Sequence, residues 1–166
     1  MIRVGLIADT HGWLDEKVFS HFASCDEIWH MGDFGSMEIA TKLQQFKLLR
    51  GVYGNIDDAH LRSEFPETLR FYCESVDVLM THIGGYPGRY APKVREIMKQ
   101  NPPKLMLCGH SHIVKVIFDP KYQCLHINPG AAGKQGWHKK RTIMRLEIEG
   151  TEMRNCELIE LASSRS

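Results

Sequence analysis

The sequence predicts an α/β fold with a partly parallel sheet. Two observations carry this. In the first half, short continuously apolar runs alternate with stretches of helical spacing. In the second half, strand-like runs follow one another with turn residues between them. The 166 residues fit one domain spanning 1–166, large enough to bury a core without disulfides.

The elements follow in order. "IRVGLIA" has the unbroken apolar character of a buried strand, and "DEKVFSHFA" reads as a helix with Asp15 as its cap. "EIWHM", "LLRGV", "VDVLMTH" and "KLMLCG" repeat the strand signal. Between them, "MEIATKLQQF" and "PKVREIMKQN" carry helical spacing, the second with Pro92 near its start. "VKVIFD", "YQCLHIN", "TIMRLEIEG" and "EMRNCELIEL" are strand-like, with "DPKY" and "EGTE" as hairpin turns. "TIMRLEI" alternates imperfectly, as a strand with one covered face does. One mixed sheet, or two packed sheets with helices outside, accommodates both halves. The serine-rich tail, about 162–166, is expected to fray.

Composition narrows the function classes. Apolar residues make up 43% and charged residues 25%, a balance that argues against long disorder. A net charge of +1 gives no general electrostatic case for long nucleic acid or a membrane surface. The five cysteines are scattered, with no C-x-x-C pair, which points to a reduced cytoplasm. The apolar start reaches Asp9 without a small-residue cleavage site, so no signal peptide is expected. No run approaches the ~20 apolar residues that span a bilayer.

The chemistry gathers just beyond the apolar runs, where open α/β folds hold their functional groups. After the first strand stand Asp9, Thr10 and His11; after "EIWHM", Gly32 and Asp33; after "LLRGVY", Gly54 and Asn55; after "VDVLMT", His82; after "KLMLC", Gly109, His110, Ser111 and His112. Taken singly, each has an ordinary explanation. Asp9 and Asp33 could cap helices, Asn55 could sit in a turn, His82 could be a core histidine, and His110 with His112 could be a polar turn. Together, oxygen or imidazole donors at the same end of all five strands point to a metal site.

These blocks, D-x-H, G-D, G-N, a later H and G-H-x-H, resemble the calcineurin-like metallophosphoesterases, and within them the small bacterial and archaeal phosphodiesterase branch. The resemblance runs from Met1 to about Ile148. It implies a four-layer α/β/β/α sandwich of two mixed sheets and a dinuclear metal-dependent phosphodiesterase that attacks its ester with a metal-bridging hydroxide. Asp9, His11, Asp33 and His112 would hold one divalent ion. Asp33, Asn55, His82 and His110 would hold the second, with Asp33 bridging. Manganese is the expected metal, with iron, zinc and nickel as alternatives. Asp33, Asn55 and His82 would act through metal and phosphate positioning, and the substrate would be a small phosphate ester. A homo-oligomer stays open.

The G-N block departs from larger relatives, where a histidine follows and can protonate the leaving group; here Ile56 follows. No general acid is assigned, although His60 and Asp57 are near in sequence. In "IGGYPGRY", Tyr86, Arg89 and Tyr90 could contact substrate, or the stretch could be a connector whose aromatics pack locally. "NPGAAGKQG" resembles an Asn-Pro-Gly loop beside the site in relatives, with Asn128 and Gly130 as scaffolding. "WHKKR" reads as a solvated turn that could attract phosphates if it flanks the cleft. His21, His30, His60, His126 and His138 have no motif support and read as structural or surface. Cys108 reads as core packing. A different class, a protein-interaction scaffold like the retromer subunit of this fold, is the competing function; a nuclease lacks the extended basic track it needs.

Overall fold

The computed structural model describes residues 1–163. In chain order the elements are β1 (Ile2–Ile7), α1 (Lys17–His21), β2 (Glu27–His30), α2 (Met37–Phe46), β3 (Leu48–Gly51), α3 (Ala59–Glu64), β4 (Thr68–Cys73) and β5 (Val76–Thr81). Then come β6 (Gly85–Tyr86), β7 (Arg89–Tyr90), α4 (Pro92–Gln100), β8 (Leu105–Leu107), β9 (Lys115–Asp119), β10 (Cys124–Asn128), β11 (Lys140–Glu149) and β12 (Glu152–Ser163).

Two five-stranded sheets form, in the orders β12-β11-β1-β2-β3 and β4-β5-β8-β10-β9, with β6 and β7 as a separate small hairpin. Both sheets are mixed. β1, β2 and β3 run parallel, as do β5, β8 and β10; antiparallel β11 and β12 extend the first sheet on the β1 side, leaving β3 at its edge, and antiparallel β4 and β9 flank the second on both sides. The loops that leave the carboxyl ends of these parallel strands meet one another.

Alternation of side chains decides how the layers stack. Val4, Leu6, Trp29, Met144, Leu146 and Ile148 of the first sheet meet Val78, Met80, Leu105, Leu107 and Ile127 of the second in one buried cluster. The opposite face of the first sheet, with Ile7, Ile28 and Ile143, packs on Val18, Phe22, Ile39, Leu43 and Leu61 from α1, α2 and α3. Val94 and Met98 of α4 cover Leu79 and Met106 on the outer face of the second sheet. The result is the α/β/β/α sandwich. Each fully buried aliphatic or aromatic side chain contributes ~1.5–3 kcal/mol of transfer free energy, so the three clusters hold the scaffold without help from a metal.

Several expectations change. The first helix is shorter than "DEKVFSHFA", and Glu16 occupies its cap position; Asp15 still accepts the Lys17 N–H at 2.9 Å. β11 is covered on both faces at its start, since Arg141, Thr142, Ile143 and Met144 are all buried. Residues 59–73, unassigned from sequence, form α3 and β4, with Leu69, Phe71 and Cys73 facing the inter-sheet core. Ala162 and Ser163 complete β12 rather than fray; the rest of the tail lies outside the described residues. None of the five cysteines is paired, and Cys108 is buried with its thiol pushed up to about 12 by desolvation. Among the described residues no helix is long and apolar enough to cross a membrane.

Candidate metal centre

The loops leaving the parallel strands are sewn to one another before any side chain is considered. Asp9 N–H donates to the Gly32 carbonyl, His11 N–H to that of Asp33 and Gly109 N–H to that of His82, each at 3.0 Å. Asp57 strengthens this seam. Its carboxylate accepts the N–H groups of Phe34, Gly35 and Gly54 at 3.2, 2.9 and 2.8 Å, tying the Asp33 loop to the Asn55 loop. Below them His30 is fully buried, receives the Gly32 N–H on Nδ1 at 3.1 Å and lies 3.0 Å from Thr10 Oγ1. Desolvation pushes His30 down to about 3, which keeps it neutral.

Strain concentrates in these loops. Asp9, His11, Asp33, His110 and His112 all have positive φ, between 48° and 71°. That region costs non-glycine residues ~1–2 kcal/mol each, and the tight turns aim all five side chains at one point. Gly54 allows the closest approach. A Cβ there would lie 2.0 Å from Asp33 Oδ1, so only glycine lets the third loop close over that carboxylate.

Two groups of donors result. Ligand atoms of Asp9, His11 and His112 lie within 4.8 Å of one another, as do those of Asp33, His82 and His110. Asn55 joins the second group, its Oδ1 3.0 Å from His110 Nδ1. Asp33 stands between the groups, with Oδ2 3.4 Å from His11 Nε2 and 3.2 Å from His82 Nε2. Its other oxygen accepts the Ile56 N–H at 3.0 Å. All seven donors named from the sequence thus converge, Asp9 and Asp33 as inward-facing carboxylates rather than helix caps.

The polar atoms at the centre lack protein partners. Asp9 Oδ1, both ring nitrogens of His11 and His82 Nε2 are buried without a hydrogen bond. An unpaired buried polar group costs ~1–3 kcal/mol, so such a cluster fits a cation that would occupy the lone pairs. The tautomer of His82 agrees: its Nδ1 donates to the Met31 carbonyl at 2.7 Å, leaving Nε2 with a lone pair facing Asp33.

The electrostatics are those of a cation site awaiting charge. Burial raises the Asp9 carboxyl, but the His11 and His112 imidazoles facing it at 3.7 and 3.4 Å outweigh this and hold it well below the usual range. Burial also raises Asp33, and its contact with His82 reverses this, lowering it. The Asp9 carboxylate 3.7 Å away raises His11, whereas burial lowers His110. The imidazoles take part of the place that a metal would fill.

The residues outside the cluster fare differently. Tyr90 is buried: its ring packs in the α4 cluster and its hydroxyl donates to Asp119 at 2.6 Å. Tyr86 and Arg89 face each other across the β6–β7 hairpin, with the Lys115 ammonium 4.3 Å from the centre of the Tyr86 ring. Asn128 braces the last histidine loop, donating to the Gly109 carbonyl at 3.0 Å and to Ser111 Oγ at 3.1 Å. The "WHKKR" stretch is not a uniformly solvated turn. Trp137 is exposed, but Arg141 is buried against Asp15, and His138 turns in to meet His112 with 3.3 Å between their Nδ1 atoms. His138 was missed because it belongs to no strand-end block; only the fold returns that loop to the site.

Comparison with known proteins agrees with this geometry. Residues 2–151 match the family model of the calcineurin-like phosphoesterase superfamily domain. A probable metallophosphoesterase of Methanothermobacter thermautotrophicus is 31% identical over 114 residues, and the match covers 66% of this chain and 66% of that protein. Among solved structures, a single mutant of Vps29 from Entamoeba histolytica superposes with a TM-score of 0.77 at 15% identity, over 96% of this chain and 99% of that one. A novel archaeal phosphodiesterase superposes with a TM-score of 0.75 at 21% identity, over 96% of this chain and 100% of that one. The two structures share the fold.

Proposed function

This chain belongs to the calcineurin-like phosphoesterase superfamily, and we propose that it is a dinuclear metal-dependent phosphodiesterase acting on small phosphate esters. The observation that carries this reading is Asp33 Oδ2, set within 3.4 Å of one donor group and 3.2 Å of the other, as a carboxylate shared by two cations would be. Asp9, His11, Asp33 and His112 would hold one ion, and Asp33, Asn55, His82 and His110 the other. Imidazole, carboxylate and amide donors without a thiolate suit manganese, with iron, zinc and nickel as alternatives. When bound, a pair of such ions polarises phosphoryl oxygens and acidifies water.

The chain's own residues have defined tasks. Asp9 and Asp33 stay ionised because imidazoles face them, so they are ready to bind cations at neutral pH. Asn55 adds an oxygen without adding charge, which keeps the loaded site positive toward an anionic ester. The Met31 carbonyl orients His82 and the Ile56 N–H orients Asp33, fixing donor directions before metal arrives. Arg89 and Tyr86, exposed on their hairpin, are the remaining candidates for contact with substrate. Five unpaired cysteines suit a reducing compartment, and we assign the protein to the cytoplasm on that ground.

The test is a metal-supplemented screen against phosphodiesters, phosphomonoesters and cyclic nucleotides, with metal content measured on the same samples. Hydrolysis of diesters with two ions per chain is expected. A chain that never takes up more than trace metal under excess manganese would favour the interaction-scaffold reading instead.

A further inference from the structure

Beside the donor cluster lies a cleft of about 480 Å³ that the metal chemistry does not use. Asn55 and His82 are among its lining residues, so it adjoins the second donor group. Its walls come from Leu79, Ile83, Val94 and Ile97, with Tyr53 and Pro92. The size falls within the ~300–1,000 Å³ of small-molecule sites, and the balance of many apolar walls with few polar groups is theirs too.

The charges on the rim are already engaged. Lys93 Nζ pairs with Glu67 at 3.0 Å. Arg62 donates to the carbonyls of Asp57 and Asn55 at 2.8 and 3.2 Å, and its guanidinium lies 4.7 Å from the centre of the Tyr53 ring. A flat uncharged group entering the cleft would remove apolar wall from water at ~25 cal/mol per Å².

We propose that this cleft receives an uncharged aromatic group carried on the phosphate, so that the preferred substrates are phosphodiesters with one aryl or similarly planar substituent. The proposal rests on reading the donor cluster as the phosphate site. Continuity through Asn55 and His82, which belong to both the donor cluster and the cleft lining, sets the occupant: a group esterified to a phosphate held by the cluster would lie beside the cleft. A macromolecular partner would need a broader surface than this pocket offers.

The experiment has a kinetic arm and a binding arm. In the first, manganese-loaded protein hydrolyses 2,2,2-trifluoroethyl phenylphosphonate and 2,2,2-trifluoroethyl methylphosphonate, which share a non-aromatic leaving group and a charge and differ only in whether the retained substituent is aromatic. The phenyl compound is expected to have a kcat/KM ~10-fold higher or more, and Ile97→Trp, which fills the cleft, should bring the ratio toward one. Because Ile97 is half-buried, folding of that variant is checked first, and the wild-type ratio decides alone if it does not fold. In the second arm, methyl NMR signals of Ile83, Val94 and Ile97 are followed in metal-free protein titrated with benzyl alcohol, and selective shifts are expected. Hydrolysis of both compounds at equal kcat/KM would overturn the proposal. Absence of hydrolysis with shifted methyl signals would defeat the phosphodiesterase reading while leaving aromatic recognition standing, and absence of both would defeat each.

Discussion

His138 Nδ1 lies 3.3 Å from His112 Nδ1, and the far nitrogen of His138 donates to the Gly133 carbonyl at 2.7 Å. Burial pushes His138 below the usual histidine range, so its Nδ1 carries a lone pair that takes the His112 Nδ1–H. His112 is left with its Nε2 lone pair toward Asp9, at 3.4 Å. The relay fixes a tautomer from outside the recognised blocks.

His138→Ala should therefore weaken metal binding at the Asp9–His11–His112 group by ~10- to 100-fold, the usual cost of losing such a support. His138→Gln, whose amide oxygen can accept the same proton, should recover part of it. Calorimetric titration with Mn²⁺ resolves the two sites; equal affinities for wild type and the alanine variant at both would show that His138 only fills space.

Asp33→Asn should remove more activity than Asn55→Ala and should lower the occupancy of both ions, since the shared carboxylate serves both groups. Metal-free stability at neutral pH should fall, because the His82 imidazole facing Asp33 outweighs its repulsion from Asp9 and the neutral amide forgoes that attraction. Elemental analysis with thermal melts of apo-protein checks both. An Asp33→Asn variant that keeps two ions and near-normal turnover would exclude the bridge.

Gly54→Ala forces a Cβ to 2.0 Å from Asp33 Oδ1 and 2.3 Å from Asp33 N, so the Asp33 loop must shift. The expected cost is ~1–3 kcal/mol of stability from overpacking. A larger loss of metal affinity should accompany it, and denaturant melts set beside Mn²⁺ titrations separate the two. Unchanged metal binding would mean that the loop accommodates the methyl without disturbing Asp33.

His126 supplies a pH dependence remote from the donor cluster. It is fully buried, and desolvation pushes it down to about 4. The unfolded chain takes up this proton near 6.5 and the folded chain only near 4, so stability falls as pH drops through that window, by ~3 kcal/mol in all. His126→Leu should flatten this part of the stability curve measured by urea melts between pH 7 and 4. If the slope stays as in wild type, another buried base governs it.

Leaving-group protonation is the last case. Ile56 is 48% exposed and cannot donate a proton through its side chain. The Asp57 carboxylate is occupied by three backbone N–H groups and is built as a clamp rather than a free acid. Phosphodiester turnover should then fall steeply as the leaving-group pKa rises, because the ~10²- to 10⁴-fold help of a general acid is missing. A flat dependence across a graded phenol and alcohol series, with the chemical step limiting, would reveal an acid such as His60.

The sequence alone determined the alternation of elements and which seven polar side chains stand at the strand ends, because apolar runs and the polar residues that end them are local properties of the chain. α2, for example, spans the ten residues its spacing predicted. Left-handed backbone at Asp9, His11 and Asp33 could not be read this way, since hydrogen bonds between loops hold it in place. The same holds for the arrangement of two sheets, for Arg141 buried against Asp15, 126 residues away, and for His138 behind His112. Which turn meets which depends on strand pairing between segments far apart in sequence, such as β1 with β11. That pairing is decided by burying both sheet faces at once, a condition no local pattern contains.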